Sequence, residues 1–148
     1  MMNHPSHGRR GFVRAAAVLA FGLVALPAAH AQDGQSSAAQ KAAREWLALV
    51  DAHNVNAGWS SAGAKFKRTT TVRRWAQALN AQREPLGPVV QRTLVATRFT
   101  KTPPGKAPGD YAVVVFRTTF AKRTAVGETV TVEREGDGIW RVVGYVIS

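Results

Sequence analysis

The chain has 148 residues, 45% of them apolar, 8% aromatic and 20% charged, which excludes a disordered tail or a collagen-like repeat and leaves room for one domain. It contains no cysteine, which removes disulfides, thiolate metal sites, covalently attached haem, a thiol nucleophile and a lipid anchor on cysteine. Twenty Lys and Arg against nine Asp and Glu give a net charge of +11.

The first 31 residues read as an export signal. Arg9, Arg10 and Arg14 make a positive start, Ala15 to Leu26 is an apolar run, and Ala29-His30-Ala31 supplies small residues around a cleavage point after Ala31. Such a run rises only about 18 Å as a helix, short of the roughly 30 Å hydrocarbon core, so cleavage is expected rather than anchoring. Gly8-Arg9-Arg10-Gly11-Phe12-Val13-Arg14 resembles the twin-arginine pattern, with Gly8 where Ser or Thr usually leads; general secretion is the favoured route. Either route delivers the protein to the periplasm. Cleavage leaves Gln32 to Ser148, with 17 basic against nine acidic residues and a net charge of +8. No later segment is apolar enough to span a membrane, and Gln32 to Ser37 is small and polar, a flexible lead-in to a single domain over 38–148.

Helices come first. Ser36 or Ser37 can cap a helix that places Ala39, Ala42, Ala43, Trp46, Leu47 and Val50 on one face and turns Lys41, Arg44, Glu45 and Asp51 mostly toward solvent. Asn54 and Asn56 interrupt it. A second helix is predicted over Ala57 to Phe66, with Trp59, Ala62, Gly63 and Phe66 in one stripe, although its two glycines weaken it. Thr70 or Thr71 caps a third, with Val72, Trp75, Ala76 and Leu79 inward, ending before Pro85.

From Pro88 the period changes to two. Val89 to Lys101 is a β-branched run, followed by a stretch rich in turn residues. Asp110 to Ala121 alternates Ala112, Val114, Phe116 and Phe120 with Tyr111, Val113, Val115 and Arg117. Val126 to Glu135 places Val126, Val130 and Val132 on one face and Thr129, Thr131, Glu133 and Glu135 on the wet one. Gly136-Asp137-Gly138 turns the chain into a last strand, Ile139 to Ile147, with Trp140 and Tyr145. Three N-terminal helices on a four-stranded antiparallel curved sheet make an α+β layer fold, with the four tryptophans as its main packing volume.

Trp46-Leu47-Ala48-Leu49-Val50-Asp51, Trp59, Trp75, Arg83-Glu84-Pro85-Leu86-Gly87, Asp110-Tyr111-Ala112-Val113-Val114-Val115-Phe116, Glu128-Thr129-Val130-Thr131 and Trp140-Arg141-Val142-Val143-Gly144-Tyr145 follow one another in that order. The ordered set resembles the domain of unknown function 4019 family, small secreted proteins of Gram-negative bacteria, from about Ala39 to Ser148. The resemblance carries no activity, cofactor or substrate. Its helices-then-sheet order is similar to the nuclear-transport-factor-2-like or cystatin-like cone, which implies a pocket between helices and sheet; this is an analogy of fold, and fold does not imply function.

Candidates for chemistry are few. His53, the one histidine of the mature chain, continues the inward stripe of the first helix, where it could serve as a capping or packing residue or line a pocket mouth. One histidine without cysteine argues against zinc, and no nucleophile-elbow motif accompanies it. Glu128 shares a face with Val126, Val130 and Val132, so it must find a partner under the helices. Arg83, beside Leu79 and Ala76 on the third helix, is the first candidate; Arg92, Arg117 and Arg141 are others. Two outcomes are open: a structural ion pair, or a pocket in which Glu128 with Arg83, Arg92, His53 and Tyr111 binds a polar ligand or moves a proton. Glu128 with Tyr111 or Tyr145 could imitate an acid–base pair of the ketosteroid-isomerase type.

Lys65, Lys67, Arg68, Arg73 and Arg74 surround Thr69, Thr70 and Thr71. Cations in a helix's first turn oppose its dipole at roughly 0.3–1 kcal/mol each, an arrangement that makes sense if an anion docks on Thr70 and Thr71; otherwise the cluster is a solvated basic loop. Nucleic acid does not suit the expected compartment, and no basic–aromatic binding motif is present. The favoured expectation is a noncatalytic domain that binds a small ligand or an envelope partner, without metal or cofactor. The alternatives are an enzyme with Glu128 as general acid or base, and an anion or envelope-surface binder through Lys65–Arg74. A homodimer through the sheet would cover Tyr111, Val113 and Val115.

Overall fold

The computed structural model describes residues 28–148; the charged start and apolar run expected to form an export signal lie outside them. Four α-helices, α1 (Ala28–Asp51), α2 (Val55–Ser61), α3 (Ala64–Thr69) and α4 (Val72–Arg83), precede a short 3-10 turn at Glu84–Leu86. Four strands follow: β1 (Val89–Thr100), β2 (Tyr111–Phe120), β3 (Arg123–Arg134) and β4 (Trp140–Ile147). The sheet is antiparallel throughout, in the order β1-β2-β3-β4. It is curved enough that Phe99 and Trp140, on its opposite edges, bring their rings to 6.0 Å.

The expected α+β class holds, with two corrections among the helices. First, α1 begins before its serines and runs helically through Gln32 to Ser37, the segment expected to be a flexible lead-in. Gln40 donates back to Ser36 at 3.1 Å and across to Thr97 of β1 at 3.0 Å, so Ser36 serves inside the helix rather than as its cap. Second, there are four α-helices rather than three among the described residues, because the predicted Ala57–Phe66 helix is two. Ala62 and Gly63 both take extended backbone angles, and the Gly63 amide donates to the Val142 carbonyl on the β4 edge at 2.7 Å. A Cβ on Gly63 would lie 2.8 Å from Val143 and 2.9 Å from Glu135. The chain breaks its helix there to lay bare backbone against the sheet edge.

Tryptophan N–H groups fix the short helices. Trp46 donates to the Gly58 carbonyl at 2.8 Å and Trp59 to the Thr70 carbonyl at 2.7 Å, while Trp75 Nε1 faces Gly58 with no acceptor. The rings of Trp46, Trp75, Phe66 and Tyr145 meet at centroid distances of 5.3 to 6.4 Å. With Ala39, Ala43, Leu47 and Val50 of α1 they fill the space over Ala112, Val114, Val130 and Val132. Aromatic pairs in tilted and edge-on contact supply both volume and fixed geometry.

Strand alternation is correct as a matter of direction but not of exposure. Tyr111 and Glu133 point outward, yet Tyr111 is 1% exposed and Glu133 is 8% exposed. The reason is local: α3 wraps the β4 edge, and the loop between β1 and β2 folds back under the sheet. Lys65 of α3 meets Glu133 at 2.6 Å and the Tyr111 hydroxyl at 2.5 Å, and that hydroxyl donates to the Ala107 carbonyl at 2.6 Å. Lys106 reaches the Val143 carbonyl at 3.0 Å.

Candidate functional site

Six elements converge on Glu128, which is fully buried. Its neighbours on the inner face follow from register. Phe116 is its direct partner on β2, so Thr118 lies diagonally across; Arg92 pairs with Thr118; and Tyr145 pairs with Val130, diagonal to Glu128 on the other side. Glu128 Oε1 accepts from Arg83 at 3.2 Å and from the Tyr145 hydroxyl at 2.5 Å. Oε2 accepts from Arg92 Nε at 2.7 Å and from the Thr118 hydroxyl. Asp51, at the end of α1, closes a ring: it accepts from Arg83 Nη2 at 2.6 Å and from both Arg92 Nη groups, at 2.6 and 3.0 Å. Arg83 also donates to Tyr145 at 3.1 Å and lies over the Phe120 ring at 4.8 Å.

The ring holds two carboxylates and two guanidiniums and is neutral in sum. The four acceptor positions of Glu128 are all used, the condition under which a buried ion pair can offset its desolvation. Burial alone would raise the Asp51 pKa, but hydrogen bonds from Arg92 and Arg83 outweigh it and hold the carboxyl below its ordinary 3.8. Burial also opposes the charge on Arg83 and Arg92; the hydrogen bond to Asp51, with Tyr145 beside it, more than restores it at Arg83, and Asp51 with Glu128 does so at Arg92. Tyr145 is pushed well above its usual range, by burial first and then by the neighbouring Glu128 charge, so it is a neutral donor.

Of the residues selected from sequence, Glu128, Arg83 and Arg92 meet here, and Tyr145 rather than Tyr111 is the phenol beside them. Tyr111 pairs with Glu133, five positions along β3 from Glu128, or about 16 Å at strand rise. Arg117 is exposed on the outer face, and Arg141 joins Glu135 at 2.8 Å and Asp137 at 2.8 Å. His53 is corrected: it does not extend the inward stripe of α1. It is exposed at φ 54°, with its amide on Val50 O at 3.0 Å and the Asn54 amide on Leu49 O at 2.9 Å. That pattern is a Schellman stop, with histidine in the left-handed position glycine usually takes. His53 borders a groove of about 450 Å³ with Asn80, Arg83, Glu84, Gly87 and Pro88. Asp51 and Thr118 were missed.

The basic cluster is dispersed. Lys65 is turned to Glu133 and Tyr111, and Lys67 reaches the Ser60 carbonyl at 3.1 Å. Thr71 caps α4 with its own hydroxyl, accepting from the Arg74 amide at 3.3 Å, so the helix start already has its oxygen. Thr70 offers its carbonyl to Trp59. Arg68, Arg73 and Arg74 are exposed. Among the described residues no three His, Asp or Glu side chains converge as metal ligands would, and no helix is long and apolar enough to cross a membrane.

The family model described as "Protein of unknown function (DUF4019)" matches residues 42–145. The chain belongs to that family, in agreement with the ordered motifs. No curated protein and no solved structure matches it.

Proposed function

We propose that this member of the DUF4019 family is an exported, periplasmic, noncatalytic binding domain that meets its partner with its outer surfaces. The observation that carries the reading is the state of Glu128: the one fully buried acid among the described residues has each acceptor position occupied by Arg83, Arg92, Thr118 or Tyr145. A general acid or base needs a lone pair or a proton facing substrate, and this carboxylate has neither to spare. In a nuclear-transport-factor-2-like or cystatin-like cone the binding volume lies between helices and sheet; here the rings of Trp46, Trp75, Phe66 and Tyr145 occupy it. Export rests on the Arg9–Arg14 start, the apolar run to Leu26 and the Ala29-His30-Ala31 site. The anion reading loses its central feature, because Thr71 occupies the start of α4.

Native mass spectrometry on mature protein, purified gently from the exported fraction, tests this. The expected spectrum is that of the bare chain from Gln32. Extra mass that denaturation removes would identify a retained small ligand and overturn the reading; the groove beside His53 and Arg83 would be where to look for it.

A further inference from the structure

We propose that the outer face of the sheet docks a protein surface with an apolar centre and a rim of carboxylates. This rests on the reading that binding happens outside the helix–sheet interior. The Gln40–Thr97 and Trp46–Tyr145 contacts place α1 on the inner face, where α2 and α4 join it through Trp46 and Trp75. On the outer face, α3 and the β1–β2 loop cover only the end around Tyr111 and Glu133, with Lys106 against Gly144.

What remains uncovered has a definite chemistry. Its central row is Ala96, Val115, Thr129 and Val146, directly opposite one another across the four strands. The register shift between Leu94 and Ala96 adds Val95 to the same face. Val95 and Val146 are 57% and 59% exposed. The row on one side carries Arg98, the row on the other Arg117, both exposed and with no ion-pair partner among the described residues. No Asp or Glu side chain occupies an outward position in these three rows. β-Branched side chains flanked by unpaired arginines make the core-and-rim pattern of an interface, with arginine the cation favoured in such rims.

Charge selects the occupant. A second copy docked face to face would set arginine rim against arginine rim with no Asp or Glu side chain in these rows to answer it, and like charges brought together suppress such pairs. An acidic-rimmed face meets the same valines and neutralises Arg98 and Arg117.

The charge-reversed chain is itself a probe of that description. Sedimentation velocity at low salt is run on mature wild type, on the R98E/R117E double variant, and on their equimolar mixture. Both exposed arginines can be replaced without disturbing the core. The expected result is a monomer for each protein alone and a 1:1 dimer for the mixture, at least tenfold tighter than either self-association and weakened by salt. Placing V95S/V146S in the wild-type member abolishes the mixed dimer. Wild type that dimerises as strongly as the mixture overturns the proposal in favour of a second copy. A mixture that stays monomeric overturns it outright, and a mixed dimer that survives V95S/V146S shows pairing through some other surface. A ligand retained in the native mass spectrum overturns the reading of outer-surface binding and leaves the mixed-dimer result to be read on its own, so the two ideas fail separately.

Discussion

At the scale of single residues, Glu128 and Asp51 divide the work of one neutral ring. Glu128 is sealed, while the Asp51 side chain keeps 27% of its surface and stands at the solvent edge. Arginine hydrogen bonds hold the Asp51 carboxyl below 3.8 in the folded chain, so the unfolded chain binds its proton first as acid is added. The stability it contributes is therefore present above about pH 3.8 and lost as pH falls through the lower folded value. Asp51→Asn should be less stable than wild type at pH 7 in urea titrations and should lose less on going from pH 6 to pH 3; a variant with the wild-type acid slope would remove Asp51 from the ring. Glu128 and Arg83 were legible from sequence because each sits at a position whose neighbours are apolar. Asp51 was not, because a helical stripe predicts which side a residue faces in mid-helix. At the last turn of α1 the sheet end lies close enough for Arg92 to reach it. His53 misled for a related reason, since the helix had already ended.

Elements were legible wherever one periodic face met one partner. The α1 stripe lies in the core as read, and β2 and β3 alternate as read. What failed is the assumption that each element has one covered side. Alternation put Tyr111 and Glu133 outside correctly, but no local pattern announces that a six-residue helix will wrap the β4 edge and cover them. The break that allows the wrap is Gly63, read as part of a stripe because glycine leaves no mark on hydrophobic period. Gly63→Ala would press a methyl group into Val143 and the Glu135 carboxylate that caps the Ala64 amide at 2.7 Å. The expected cost is about 1–3 kcal/mol in urea unfolding, together with increased amide exchange over α3 and the β4 edge. A neutral Gly63→Ala would mean that the chain does not need its backbone this close to β4.

Seen as a whole molecule, the buried ring ties both long helices to all four strands through polar groups: Asp51 from α1, Arg83 from α4, Arg92, Thr118, Glu128 and Tyr145 from β1 to β4. Removing Glu128 from such an assembly leaves uncompensated charge on the buried Arg83, and breaking a buried pair in this way typically costs about 3–5 kcal/mol. That is a large share of the roughly 5–15 kcal/mol a domain of this size has. Fold class and family follow from the sequence because they depend on pattern summed over the chain. The ring's closure depends on side chains far apart in sequence meeting at one point, which no single stretch encodes. The direct test is equilibrium urea unfolding of Glu128→Gln beside wild type at pH 7. The expected result is a loss of about 3–5 kcal/mol or outright failure to fold, because an uncharged amide at that position leaves Arg83 and Arg92 with Asp51 as their one counter-charge. Wild-type stability in this variant would contradict it, and would return Glu128 to the position of a carboxylate kept for chemistry.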